Sequence, residues 1–86
     1  MTETLAVFRS RSQAMDCIMR LKANGINAQL INTPKEANVG CGLSVKFSHS
    51  GASRAKNVIA KARYSAFYGY MKIENRYGRI YVNRFS

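Results

Sequence analysis

Apolar residues run unbroken from Leu5 to Phe8 and then recur at helical spacing at Ala14, Cys17, Ile18 and Leu21. That change of period predicts a short strand, Leu5 to Arg9, followed by an amphipathic helix from about Ser12 to Ala23. Ser10 or Ser12 supplies an N-cap hydroxyl, and Asn24-Gly25 is a stop, because glycine accepts the left-handed conformation that ends many helices. Ile26, Ala28 and Leu30 then alternate with polar residues as a second strand, which Thr33-Pro34 terminates. After the polar stretch Pro34 to Gly40, the residues Leu43, Val45 and Phe47 alternate with Ser44, Lys46 and Ser48 as a third strand. Ala52, Ala55, Val58, Ile59 and Ala62 mark the inner face of a second helix, whose outer side carries Arg54, Lys56, Lys61 and Arg63. Tyr68 to Glu74 and Arg79 to Arg84 read as a closing hairpin around Asn75-Arg76-Tyr77-Gly78.

The order βαββαβ plus one strand predicts an α+β, ferredoxin-like sandwich with an added C-terminal hairpin strand, in one domain spanning residues 1–86. Strand–helix–strand crossovers are right-handed, so both helices cover one face of the sheet. The turn Ser10 to Ser12 and the loop Pro34 to Gly42 then meet at one end, with Arg63 and Arg84 towards the same end. Simple alternation assigns Phe8, Gln29, Lys46, Tyr68, Tyr70, Lys72 and Tyr81 to the face without helices, an aromatic and basic surface.

Composition narrows the function classes. The 86 residues carry 14 Lys and Arg against 4 Asp and Glu, a net charge of +10. A chain of this size supports one modest core and not a large multi-step enzyme. The charge favours a polyanionic partner, yet the basic residues are scattered from Arg9 to Arg84 and form no tail, so only the fold can gather them into a patch. Met1-Thr2-Glu3-Thr4-Leu5 has no signal-peptide pattern, and no apolar run is long enough for a membrane span, so we expect a soluble, cytoplasmic chain with no membrane partner. In that setting Cys17 and Cys41 stay reduced.

Those two cysteines differ in context. Cys17 lies on the apolar stripe of the first helix and reads as inert core. Cys41 stands between Gly40 and Gly42 at the mouth of a strand, where glycines let a partner or backbone amides come close. With Arg9, Arg11 and the helix-starting amides of Ser10 and Ser12 nearby, a thiol there belongs in the lowered range of about 3.5 to 7.5 and is a thiolate at neutral pH. The buried alternative, a small residue at a strand start, stays open. His49, the only histidine, is separated from Cys41 by a strand of roughly 20 Å at 3.3 Å per residue, which argues against a cysteine hydrolase. Two cysteines and one histidine make a poor metal set, and we expect neither metal nor cofactor. Gly40-Cys41-Gly42 does not continue into a dinucleotide fingerprint, since Val45 occupies the third glycine's place.

Phe8 with Ser10, Ala14, Gly25-Ile26, Asn32-Thr33-Pro34, the run Cys41-Gly42-Leu43-Ser44-Val45-Lys46-Phe47 and Phe67-Tyr68-Gly69-Tyr70 together resemble the small bacterial selenium/sulfur carrier-like family. The resemblance covers nearly the whole chain. It implies a persulfide or perselenide held on a cysteine, with Cys41 at the matching position, and donor and acceptor proteins as partners rather than catalysis by this chain itself. Arg9, Ser10, Arg11, Ser12, Gly40 and Gly42 would then support the anion and give access to it. The alternative reading is a small RNA- or ribosome-binding protein using Lys46, Tyr68, Tyr70, Lys72, Arg76, Arg79 and Tyr81, although the third strand lacks the aromatic signature of an RNA-recognition module. A structural homodimer closed through the sheet is a third.

Overall fold

A computed structural model describes residues 2–33, 42–76 and 79–85, of which 75, 76 and 79–85 are described through their backbone. The elements are β1 (Thr2–Phe8), α1 (Arg11–Ala23), β2 (Ala28–Asn32), β3 (Leu43–Ser48), α2 (Ala52–Ala62), β4 (Phe67–Arg76) and β5 (Arg79–Phe85), with a single 3₁₀ turn at His49–Gly51 leading into α2. The strands form one antiparallel sheet in the order β2-β3-β1-β4-β5. This is the expected ferredoxin-like order with β5 added outside β4.

Leu5 to Phe8 in β1 are all 0–1% exposed. A run buried on both sides is what a central strand requires, which explains why its apolar residues do not alternate. On the helix-bearing face, Ala6 and Phe8 join Ala28, Val45 and Phe47 of the sheet, Ala14, Cys17, Ile18 and Leu21 of α1, and Ala52, Ala55 and Ile59 of α2. The opposite face carries a smaller apolar cluster of Leu5, Val7 and Met71, flanked by Ile31, Tyr68 and Ile73.

Three residues assigned by alternation to the open face lie on the other one. Phe8 belongs to the helix-side core, because an unbroken apolar run gives no alternation from which to read its face. Tyr70 is also in that core, at 8% exposure. The cause is a β-bulge: Phe8 pairs with Phe67 but Val7 pairs with Gly69, so Tyr68 is an extra residue in β4 and the side-chain period slips by one. Lys72 moves with Tyr70, registering with Thr4 and pairing with Glu74 at 3.0 Å. Among the described residues the open face therefore has an apolar cluster at its centre. Lys46 remains on it, half-buried and 3.7 Å from Glu3.

The end of α1 is built by local rules. Asn24 is the C-cap, Gly25 follows at φ 75°, and the Gly25 and Ile26 amides donate to the Lys22 and Leu21 carbonyls at 3.0 and 2.8 Å. This is a Schellman motif, completed by the buried Leu21 and Ile26. At the other end, Ser10 is the N-cap, its hydroxyl accepting from the Gln13 amide.

The first half of α1 is fastened to the connection between α2 and β4. The Gln13 side chain accepts from the Ala66 amide at 2.8 Å and donates to Ser65 Oγ at 2.9 Å, while the Tyr64 hydroxyl and Arg20 Nε both donate to Asp16 Oδ2 at 2.7 Å. Arg63, just before this connection, ends α2 in the left-handed region at φ 52°.

Two outcomes follow. Gly25→Ala is expected to lower stability by about 1–2 kcal/mol in urea denaturation. The space beside Gly25 is open, so the loss comes from its φ alone and Gly25→Asn should recover part of it. The hydrogen bond from Tyr64, and then the one from Arg20, hold the Asp16 carboxyl below its ordinary range. A carboxyl lowered in the folded state stabilises fully above its unfolded value, near ~4, and loses that contribution as pH falls through the folded value. Asp16→Asn should therefore lower the urea midpoint at neutral pH and flatten its decline below about pH 4.

Candidate functional site

The end of the sheet where β1 and β2 finish is organised around Phe8. This residue pairs with Leu43 on one side and Phe67 on the other, and its ring packs on Tyr64 and Phe67 at centroid distances of 5.2 and 5.5 Å. The chain then turns through Arg9, whose amide donates to the Ala66 carbonyl at 2.9 Å, and enters α1. Ser10 takes the Gln13 amide with its hydroxyl and the Ala14 amide with its carbonyl, which leaves the Arg11 and Ser12 amides as the other donors of that turn. The Ser10 and Ser12 hydroxyls bond to each other at 3.0 Å.

Thr33 and Gly42, the residues on either side of 34–41, are joined beside this turn. Thr33 donates its amide to the Gly42 carbonyl at 3.1 Å, and Thr33 Oγ1 and Ser44 Oγ lie 2.7 Å apart. Ser44 is fully buried, so the pair satisfies hydroxyls that burial would otherwise penalise. Gly42 sits too close to its neighbours to carry a side chain freely: a Cβ there would stand 3.3 Å from Thr33 Oγ1 and 3.4 Å from the Phe8 carbonyl oxygen. Phe8, Arg9, Arg11, Asn32, Gly42 and Leu43 line a hollow of about 340 Å³ at this corner. The Arg9 guanidinium lies over the Tyr68 ring at 4.8 Å, a cation–π contact that restricts where this charge can go.

The structure thus brings Arg9, Arg11 and Gly42 to one hollow and places Ser10 and Ser12 at the adjoining helix start. Gly40 and Cys41 lie outside the described residues. Sequence reasoning missed Asn32 in the wall and the Thr33–Ser44 clamp; two hydroxyl residues just outside a loop were the available signal, and only strand pairing makes them neighbours. His49 is at the far end of β3 from Gly42, its Nδ1 3.0 Å from Thr4 Oγ1. Cys17 is fully buried, and desolvation pushes its thiol up to about 12, so it is no nucleophile at neutral pH.

Among the described side chains, those expected to bind nucleic acid do not assemble into one surface. Tyr70 is buried against Phe67 at 4.8 Å between ring centroids, with Lys56 over its ring at 4.9 Å, and Lys72 is engaged by Glu74. Lys46 and Tyr68 remain on the open face. The side chains of Arg76, Arg79, Tyr81 and Arg84 lie outside the described residues. Among the described residues no three of His, Cys, Asp and Glu gather to hold a metal, and no helix is long and apolar enough to cross a membrane.

Gly42→Ala tests the close packing at the loop base. The Phe8 carbonyl is held in the sheet and Thr33 Oγ1 by Ser44, so neither can yield freely. The substitution is expected to destabilise by about 1–3 kcal/mol in urea melts, and Thr33→Val alongside it should relieve little, because the Phe8 carbonyl remains.

Residues 3–69 match the family described as "Putative Se/S carrier protein-like". No curated protein and no solved structure matches the chain. The matched span begins in β1, passes through both helices and the segment containing Cys41, and ends at the bulge of β4. On this match over most of its length, the chain belongs to the Se/S carrier protein-like family.

Proposed function

We propose that this protein carries sulfur or selenium on Cys41, receiving it from one protein and delivering it to another. The observation that carries this reading is that Gly42, the residue after Cys41, is bonded to Thr33 and lines a hollow with Arg9 and Arg11. Cationic groups and helix-start amides near a thiol favour its thiolate over the neutral form. The family match supports a sulfur- or selenium-carrier role, and Cys17, buried with its thiol pushed up to about 12, is no competitor for the cysteine involved.

In the transfer, the Cys41 thiolate attacks the terminal sulfur of a donor protein's persulfide. A new S–S bond forms on Cys41 as the donor's S–S bond breaks, and the donor leaves as a thiolate. The electron pair of the broken bond departs with it, so the exchange needs no external oxidant or reductant. Arg9 and Arg11 stabilise the anionic sulfur before and after the exchange, and a persulfide held there passes its outer atom on by the same step in reverse.

Alkylation of the native chain as a function of pH is the direct test. Cys41 is expected to react with a midpoint below that of a free thiol, about 8.5, and Arg11→Gln should move that midpoint upward. Incubation with a persulfide donor should add the mass of one sulfur atom to the wild type and none to Cys41→Ser. A midpoint at or above the free-thiol value, with no adduct by intact mass, would overturn the reading.

A further inference from the structure

At the opposite end of α1 from this hollow, a groove of about 510 Å³ runs between α1 and α2. Its walls carry Arg20 from α1 and Arg54 and Lys61 from α2, and its floor includes Ile26 and Val58. Its side chains distinguish it from a merely solvated basic surface.

Two of the cations are already positioned. Arg54 donates to the Asn24 carbonyl at 2.6 Å and Arg20 Nε donates to Asp16 at 2.7 Å, so part of the entropy lost on fixing these long side chains is spent before any ligand arrives. Each guanidinium has five N–H donors, so these single bonds leave most of them for another acceptor. Lys61 makes neither a hydrogen bond nor an ion pair among the described residues.

No described carboxylate lines the groove, although Asp16 partly neutralises Arg20 from beside it. Glu3 and Glu74 are held by Lys46 and Lys72. Asn24 and Asn57 contribute neutral amides to the walls. Arg54 and Lys61 lie seven positions apart on one face of α2, about 10 Å along the axis, with Arg20 across the groove. That spacing offers each of two linked phosphate groups a cation on α2. We propose that the groove binds a small molecule bearing a diphosphate group, with Arg54 and Lys61 on its two phosphates and Arg20 closing from α1. This site shares no lining residue with the hollow beside Gly42 and stands or falls independently of sulfur transfer.

Inorganic pyrophosphate titrated calorimetrically into the intact chain at low salt is the probe, with inorganic phosphate for comparison. Pyrophosphate is expected to bind more tightly than phosphate. Lys61→Gln, which removes no hydrogen bond seen here, and Arg54→Gln should each weaken it about tenfold, the loss of one charge-assisted contact. Lys46→Gln, which removes the same charge elsewhere, should leave it unchanged, and amide shifts should centre on Asn57 and Val58. Three results would overturn the proposal: no binding at millimolar pyrophosphate, equal weakening by Lys46→Gln, which would mean diffuse attraction to the net charge, or weakening by Arg11→Gln instead, which would move the anion to the hollow beside Gly42.

Discussion

The placement of β1 between β3 and β4 is the constraint from which the candidate site derives. Phe8, the last residue of that strand, is held by Leu43 on one side and Phe67 on the other, so the start of β3, the start of β4 and the entry to α1 converge on one residue. Its ring is fully buried against Tyr64 and Phe67, worth roughly 1.5–3 kcal/mol of apolar burial, and its carbonyl sits against Gly42. Position and stability are thus supplied by the same residue. Shifting the register of β1 would turn its buried side chains to the opposite face and separate Arg9 and Arg11 from the base of the 34–41 segment.

Helix α1 transmits this placement to the rest of the molecule. Its first turns are fastened to Tyr64, Ser65 and Ala66, its middle buries Cys17, and its last turn ends in the Schellman motif beside the basic groove. Cations therefore flank both ends of this helix for different physical reasons. At the start, Arg9 and Arg11 reinforce the positive end of the helix dipole, a combination that favours an anion and disfavours further cations. At the end, Arg54 satisfies the Asn24 carbonyl, where positive charge complements the negative end. The net charge of +10 is thus distributed over structurally distinct places.

Face assignment was the part of the fold that resisted reading. Alternation works where a strand has one wet side, as in β3, whose Val45 and Phe47 point into the helix-side core as expected. It says nothing for β1, which is dry on both sides, and it misleads across the bulge at Tyr68, which reverses Tyr70 and Lys72 together. A bulge is invisible to periodicity because it is a property of two strands in register. Among the described residues, the sheet face expected to be aromatic and basic carries instead an apolar cluster of Leu5, Val7, Met71, Ile31 and Ile73, with Tyr68 and Lys46 beside it.

What the amino-acid order determined by itself is local: the helix boundaries through Ser10 and Gly25, the strand segments, the contrast between a cysteine on an apolar stripe and one between two glycines, and the family to which these residues belong. These depend on backbone preferences and spacing within a few residues, so they survive without knowledge of what packs where. Only the tertiary structure decided that Thr33 and Ser44 clamp the loop base, that Gly42 lies against the Phe8 carbonyl, that Tyr70 is core, and that Arg20, Arg54 and Lys61 share one groove. Each joins residues far apart in the chain, and their proximity is created by strand pairing and helix docking rather than by any pattern along the sequence.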